Sequence, residues 1–154
     1  MCSSVSSPGE PSAAARAEAG RSEIASIHRV AEMAAQGREA ADVIAAAQQE
    51  LTELLGLRNC RFEAPPFSLP RPRLERSGTI SGQTHRRVAG RGFELPEEGV
   101  ELPVLAHGQR VGRFVLDPSS GAGVTLEQRV VAVAIADQVG AALSAGPVRH
   151  GDNA

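Results

Sequence analysis

Residues 99–143 decide the fold, and they read GVELPVLAHGQRVGRFVLDPSSGAGVTLEQRVVAVAIADQVGAAL. Three apolar residues, at positions 100, 102 and 104, alternate with Glu101 and Pro103. His107-Gly108 interrupts the pattern, and residues 111–116 form a second strand-like run. Alternation of this kind is typical of a strand with one buried face. Two such runs separated by so short a break predict an antiparallel β-hairpin.

A helix is predicted directly after this hairpin. Thr125 and Gln128 have the spacing of a capping box, in which the hydroxyl and the side-chain amide satisfy backbone groups, so the helix should begin at Leu126. Residues 130–136 are apolar on every side of that helix, which indicates that it is covered on more than one side. Their β-branched members also allow a buried strand, but the cap, the length and the Gly-Pro pair at 146–147 favour a helix.

Composition limits the functional classes. The 154 residues suit one domain with flexible ends, and the net charge of −2 does not suggest nucleic-acid binding. All basic residues are arginine, which is typical of a high-GC bacterial genome. With four Phe, no Trp and no Tyr, the chain is poorly equipped to stack bases or sugars.

Cysteine usage and hydropathy predict a cytoplasmic protein without a metal or another cofactor. Cys2 and Cys60 are too few for a disulfide framework or a structural zinc site. No stretch approaches the roughly 20 apolar residues that span a bilayer, and residues 1–21 lack the apolar centre of a signal peptide. We therefore expect no membrane partner.

The chain divides into four predicted parts. Residues 1–21 are poor in large apolar side chains and are expected to be a disordered tail. Residues 22–36, starting at a Ser22 cap, form a linker or signalling helix, and residues 37–145 form the folded domain. Residues 146–154 are expected to be a second flexible tail.

Within the domain, helices enclose a set of strands. An amphipathic helix over 43–55 should end at Gly56, followed by a half-buried strand over 57–63. The further predictions are an extended proline-rich connection over 64–72, a short hairpin over 74–80, a short strand over 84–88 and a loop over 90–98. This order predicts an α+β fold, an antiparallel sheet with N- and C-terminal helices on one face. Pro103 lacks a backbone donor, so its strand should lie at an edge or carry a bulge.

The hairpin and terminal helix together match a known sequence pattern. The segments ELPV (101–104) and RVGRFVL (110–116), with Gly108 between them, are similar to the hairpin that ends GAF domains. The segment TLEQ and the helix after it, over 125–143, resemble that family's closing helix. Residues 46–62 resemble its opening helix and first strand. The resemblance implies a reduced GAF/PAS-like fold, with a small-molecule site on the sheet face and output through the terminal helices.

A narrower resemblance concerns the front of the domain. The segments LTELLGLRNCRF (51–62) and RPRLER (71–76) resemble a GAF-like module at the C-terminus of sensor proteins from high-GC bacteria. Such proteins usually carry a membrane or stress-sensing region upstream, so we expect this chain to be a stand-alone or truncated copy. Residues 81–98 are short and polar where ligand-binding relatives have a lid, so a well-closed pocket is not expected.

An arginine-rich region is the candidate ligand site. Guanidinium groups bind carboxylates and phosphates in a bidentate way, so several converging arginines would form an anion site. The alternative is a solvated edge neutralised by nearby glutamates. The candidate ligand-binding residues are Arg76, His85, Arg86, Arg87 and Arg91.

No residue is assigned a catalytic role. Cys60 is expected to be a small core residue of a central strand, and His28 an ordinary helix residue. We therefore predict a non-enzymatic GAF-like sensory or regulatory module of signal transduction, homodimeric, with a possible small-molecule ligand and a possible signalling protein partner. The alternative is a structural dimerisation or interaction module that has lost ligand binding. The candidate dimer-interface residues are Ile24, Ile27, Ala31, Ala34, Val131 and Ile135.

Overall fold

The structure, a computed structural model, describes residues 13–67, 69–81, 86–88, 92–119 and 123–144. They form an α+β fold, as predicted. In chain order its elements are α1 (Ala13–Ala35), α2 (Ala40–Leu55), β1 (Leu57–Glu63), β2 (Arg86–Val88), β3 (Gly92–Glu94), β4 (Val100–Ala106), β5 (Gln109–Pro118), β6 (Gly123–Val124) and α3 (Leu126–Ser144). None of the helices in these ranges is long and apolar enough to cross a bilayer.

The predicted hairpin is the centre of the main sheet. Strands β4 and β5 pair antiparallel, with Leu102 opposite Phe114. Their turn places His107 at φ 54° and Gly108 at φ 77°. Positive φ at both central residues is the signature of the tight turn that matches the natural twist of two strands. The hairpin prediction is confirmed.

Strand β1 pairs with the other side of β5, so the order is β1-β5-β4 and all pairs are antiparallel. The predicted strand over 57–63 is confirmed, but Cys60 lies in an edge strand of this sheet, since β5 occupies the centre. Pro103 lies in the other edge strand, which confirms the first of the two alternatives predicted for it. Pro103 itself pairs in register with Arg113, and the register shift between Val104 and Leu105 leaves the extra residue, Val111, in β5.

Helix α3 begins at Leu126, and both halves of the predicted capping box are formed. The Gln128 backbone N–H donates to Thr125 Oγ1 at 3.1 Å, and the Thr125 N–H donates to Gln128 Oε1 at 2.8 Å. Gln128 Nε2 also donates to the carbonyl oxygen of Leu54 at 3.0 Å, which joins the start of α3 to the end of α2. The strand alternative for residues 130–133 is therefore excluded.

The helices cover one face of the main sheet and enclose the apolar core. Helix α2 packs on β1, and α3 packs on β4. Gly140 allows α3 to approach β4 closely. Any larger residue there would clash, because a Cβ at this position would lie 2.0 Å from the carbonyl oxygen of Leu105. Fully or almost fully buried core residues include Val43, Ala47, Leu51, Leu102, Val104, Phe114, Leu116, Ala132, Ile135 and Val139.

The start of the first helix differs from the sequence prediction. Helix α1 begins at Ala13, so residues 13–21 are helical and do not belong to a disordered tail. Their alanine, arginine and glutamate residues have high helix propensity even without apolar side chains to bury. Helix α1 also packs on α3 and α2 of the same chain, which a linker helix would not need to do. Residues 1–12 of the first predicted tail, the whole second predicted tail over 146–154 and residue 145 lie outside the described ranges.

The loop predicted over 90–98 contains a strand. β3 pairs with β2 on one side and with β6 on the other, forming a second small sheet. Three residues are too few to show an alternating pattern, and the pairing with β6 depends on a distant part of the chain. β2 lies within the short strand predicted over 84–88, whose first two residues are outside the described ranges.

The short hairpin predicted over 74–80 is confirmed, and we call it the 74–80 hairpin. Leu74 and Ile80 form an antiparallel bridge, and the Glu75 N–H donates to the Thr79 carbonyl oxygen at 2.8 Å. Gly78 turns the chain at φ 92°, a conformation that favours glycine. A Cβ at that position would also lie 2.6 Å from Leu126 of α3, so the hairpin lies directly against the helix.

Candidate functional site: a cleft at the open edge of β4

Charged side chains lie on the sheet face opposite the helices. Side chains alternate along a strand, so Glu63, Glu101 and Arg113 share this second face. Arg113 is only 1% exposed. Its Nη2 donates to Glu63 Oε1 at 2.7 Å, and its Nη1 donates to Glu101 Oε1 at 2.8 Å. The buried guanidinium is therefore paired on two sides.

Two further arginines share the Glu101 carboxylate. Arg110 Nη2 donates to Glu101 Oε1, and Arg73 Nε donates to Glu101 Oε2 at 3.4 Å. The Phe67 ring covers the group, with its centroid 4.6 Å from Arg110 Cζ and 4.9 Å from Arg113 Cζ. This part of the second face is therefore filled by side chains. We call Glu63, Arg73, Glu101, Arg110 and Arg113 the ion cluster.

The pKa values agree with a fully ionised cluster. Burial alone would raise the pKa of Glu101, but the guanidinium groups of Arg113, Arg110 and Arg73 outweigh it and lower that pKa. The hydrogen bond from Arg113 lowers the pKa of Glu63. Burial of Arg113 opposes its charge, yet its two carboxylate partners raise its pKa. The pKa shifts of Glu63, Glu101 and Arg113 therefore all favour the charged form of the group.

Backbone pairing attaches the proline-rich connection to the outer edge of β4. The Glu101 N–H donates to the Pro72 carbonyl oxygen at 2.8 Å, and the Leu74 N–H donates to the Glu101 carbonyl oxygen at 2.9 Å. Pro103 is two residues further along the same edge and has no N–H to continue this pairing. The connection therefore separates from β4 after Glu101, and the edge beyond it stays open.

A cleft of about 350 Å³ lies at this open edge. It is bounded by residues 73–76, by β4 and by α3, and the end of β5 contributes Arg110. Most of its wall is apolar, and the charged groups on it are three arginines and one glutamate. The lining residues are Arg73, Leu74, Glu75, Arg76, Leu102, Pro103, Leu105, Arg110 and Val133.

The arginines of the cleft differ in how completely they are paired. Arg76 forms a bidentate pair with Asp137 of α3, with both N–O distances at 2.9 Å, and this pairing raises its pKa. Arg73 has a side chain that is 47% exposed. Arg110 Nε is buried, and it has no hydrogen-bond partner among the residues that the structure describes. An unpaired buried donor is unusual, because its desolvation is not compensated.

Only part of the predicted arginine site can be placed. Arg76 lies in the cleft, and Arg86 and Arg87 lie in β2. His85 and Arg91 lie outside the described residues. The structure brings Arg76 together with Arg73, which belongs to the same predicted arginine-rich region, and with Arg110, which was not predicted as part of a site.

Four cluster residues, Glu63, Glu101, Arg110 and Arg113, were missed because alternation shows which face a side chain occupies but not what covers that face. Glu101 alternates with apolar neighbours, which is typical of a residue that faces water, yet it is only 4% exposed. Arg110 and Arg113 lie in a strand that the sequence predicted without assigning its charged residues a role. The available signal was the repetition of charged residues on one face of adjacent strands.

The predicted dimer residues differ in accessibility. Ile24 is 57% exposed, whereas Ile27, Ala31, Ala34 and Val131 are half-buried within their own chain. Ile135 has no exposed surface, so its side chain is not accessible to a second copy in this conformation. Ile27, Ala34 and Val131 pack against the core of their own chain, so Ile24 is the most exposed of the predicted contacts.

Cys60, the cysteine that lies within the described ranges, is a core residue, as predicted. Cys60 is 8% exposed and is reduced. Burial, with a smaller contribution from Asp117, raises the pKa of its thiol to about 12. The thiolate is the reactive form, so Cys60 has the properties of an inert structural residue.

Comparison with known proteins identified no relative of this chain. No protein-family model matches the chain. No curated protein and no solved structure shows significant similarity to it.

Proposed function

We propose that this protein is a GAF-like sensory or regulatory module of bacterial signal transduction. In this proposal it is a cytoplasmic, non-enzymatic homodimer that binds a small ligand in the β4-edge cleft. The observation that carries the proposal is the cleft itself, a mostly apolar cavity with arginines at its rim. Small-molecule sites are typically concave, apolar and equipped with a few convergent polar groups.

Three of the four charged residues on the lining are arginines, which favours binding of an anion over proton transfer. Arginine side chains keep their protons in proteins, so they donate hydrogen bonds without exchanging protons during a reaction. Arg73, Arg76 and Arg110 are therefore suited to recognition and orientation of an anion. Their different degrees of pairing leave Arg73 and Arg110 as the stronger candidates for direct ligand contact.

The position of the cleft supports coupling to the helices. Val133 of α3 forms one wall, and the 74–80 hairpin forms another. Arg76 joins the hairpin to Asp137 of α3, and α3 packs along α1. A ligand held between hairpin and helix would stabilise that arrangement. The exposed side of α1, with Ile24 on it, is the proposed dimer contact and output surface.

A second candidate function has its own supporting observation. The resemblance to GAF domains implies a ligand on the sheet face, but the ion cluster and Phe67 occupy the described part of that face. This favours an interaction module that dimerises or contacts a signalling protein without a ligand. The two candidates differ in whether any small molecule stabilises the folded protein.

The test is a thermal-shift screen of small metabolites combined with light scattering. Ligand that binds only the folded state raises Tm. Leu105→Trp, which places a large ring in the cleft, should abolish the shift, whereas Leu69→Trp at an exposed site outside the cleft should preserve it. Light scattering should show a dimer. No stabilising compound for the wild-type protein, together with a stable dimer, would support the interaction module instead.

A further inference from the structure

We infer that the ligand of the cleft is a small monocarboxylate with an apolar body, whose carboxylate binds Arg110 and Arg73. This inference rests on the proposed function, because it assumes that the cleft holds a ligand. It adds the ligand's charge, its approximate size and the two residues that recognise it. Four features of the cleft support it.

The first feature is the weak pairing of the arginines on the cleft. Glu101 contacts Arg73, Arg110 and Arg113 at once, and Arg113 also contacts Glu63. The contacts of Arg73 are long, 3.4 Å to Glu101 and 4.0 Å to Glu75, and its side chain is 47% exposed. Arg76, by contrast, forms a bidentate pair with Asp137. A bound carboxylate would give Arg73 and Arg110 a closer acceptor than the one they share.

The second feature is the position of Arg110. Its side chain lines the cleft and is 29% exposed. Its guanidinium carbon lies 4.6 Å from the Phe67 centroid, so the group is held in place by a cation–π contact. Its Nε has no hydrogen-bond partner among the described residues and is too buried to contact a ligand unless the side chain moves. A guanidinium group that is already positioned loses little conformational freedom on binding, which favours recognition of an acceptor oxygen.

The third feature is the balance of apolar and charged lining. Leu105, Pro103 and Val133 offer an apolar surface, and the volume of about 350 Å³ is near the lower end for ligand sites. Glu75 on the same wall disfavours a second negative charge. The lining has no aromatic ring on which a base could stack. A small monoanion with an aliphatic part fits these properties better than a nucleotide or a phosphate dianion.

The fourth feature is the proline at the open edge. A peptide that bound here as an added strand would need backbone donors and acceptors along β4. Pro103 has no backbone donor at the position where such a strand would pair. The cleft is therefore better suited to a small molecule than to an extended peptide.

The inference is tested with 4-methylpentanoate as the probe and 4-methylpentanamide, 4-methylpentylamine and inorganic phosphate as matched comparisons. We expect calorimetry on the full chain to show binding of the carboxylate, with at least about tenfold weaker binding of the amide, since a charge-assisted hydrogen bond is lost. Arg110→Met and Arg73→Gln should each weaken carboxylate binding by about tenfold. Arg58→Gln, at an exposed arginine of β1 outside the cleft, should leave it unchanged.

A second readout separates recognition from folding. In protein labelled with ¹⁵N-arginine, the Nε–H signal of Arg110 should move when the carboxylate is added and stay in place with the amine. Circular dichroism and Tm of each variant show whether it folds. If Arg110→Met does not fold, the effect of Arg73→Gln on carboxylate binding and the response of the Arg110 Nε–H signal test the inference instead.

The outcomes distinguish the inference from the proposed function. Equal binding of the amide, amine or phosphate, blocked by Leu105→Trp, would overturn the inference and leave a ligand-binding cleft. Carboxylate binding that neither Arg110→Met nor Arg73→Gln weakens would overturn it as well. If neither these probes nor the wider metabolite screen stabilises the protein, the proposed function fails with it.

Discussion

The two faces of the β1-β5-β4 sheet are covered in opposite ways. On one face α2 and α3 bury aliphatic and aromatic side chains such as Leu102 and Phe114. On the other face the proline-rich connection covers the ion cluster, with Phe67 over its arginines. Apolar burial is non-directional and supplies most folding free energy. Ion pairs require particular geometry, so the ion cluster on the second face helps to fix the position of the proline-rich connection. The cleft lies beside the end of that connection.

The difference between the faces shows how stability and function are separated in this fold. A buried ion pair contributes little net stability, because desolvation of its charges offsets their attraction. Removing one partner is nevertheless costly. We therefore expect the apolar face to determine how stable the protein is, and the charged face to determine its response to pH and to anions.

The largest effect should come from the apolar face. Phe114 is completely buried and makes an edge-to-face contact with Phe62, their ring centroids 5.3 Å apart. Phe114→Ala should lower the free energy of unfolding by about 4 kcal/mol. Phe67→Ala, on the opposite face and partly exposed, should lower it by about 2 kcal/mol. Urea denaturation at pH 7 measures both, and equal losses would contradict the contrast between the faces.

The next effect should come from the centre of the ion cluster. Arg113→Met leaves Glu63 and Glu101 with less positive charge nearby and should cost about 3 kcal/mol. The double variant Glu63→Gln/Arg113→Met removes one of these carboxylates and should recover part of that loss. A single variant as stable as the wild-type protein, or a double variant that is the least stable of the three, would show that the cluster is not coupled as described.

Acid should weaken the charged face. The pKa values of Glu63 and Glu101 are lowered in the folded state, so their contribution is complete above the unfolded pKa of about 4.3 and is lost as pH falls through the folded values. The stability difference between the wild-type protein and Arg113→Met should therefore shrink below about pH 4. Urea midpoints from pH 7 to pH 3 measure it. A constant difference would mean that these carboxylates do not titrate with the cluster.

The smallest effect is expected at the exposed pair that joins the two sides of the cleft. Arg76 is largely exposed, so Arg76→Gln should lower the free energy of unfolding by less than about 1 kcal/mol. Hydrogen exchange should nevertheless accelerate in the 74–80 hairpin, because its bidentate contact with Asp137 is lost. Asp137→Asn should have the same local effect. Unchanged exchange in both variants would show that the pair does not hold the hairpin.

Elements with strong local signals were predictable, and elements that depend on distant partners were not. The β4–β5 hairpin has alternation and a turn, and α3 has a capping box, so both elements and the first residue of α3 were correctly predicted. Both strands extend two residues further toward the turn than predicted, and β5 also continues through Asp117 and Pro118. β3 is only three residues long and is defined by pairing with β2 and β6. The start of α1 was missed because helix propensity, without apolar periodicity, was not treated as sufficient.

The candidate site was predicted less completely than the fold. Arg76 was selected from the density of arginines around it, and it does line the cleft. Arg110 and Arg73 are more important to the arrangement, because they share Glu101 and retain unsatisfied or exposed donors. Their separation in sequence gives no sign of that shared partner, since it depends on the register of β4 with β5 and on the attachment of residues 72–74.

The sequence by itself determined the α+β class, the central hairpin, the cap of α3 and the edge position of Pro103, because each depends on neighbouring residues and on backbone chemistry. Only the tertiary structure decided that Glu101 and Arg113 are buried, that Phe67 covers them and that a cleft opens beside Pro103. These features require the proline-rich connection to fold back across the sheet. Alternation along a strand specifies which face a side chain occupies, but it does not specify what will cover that face.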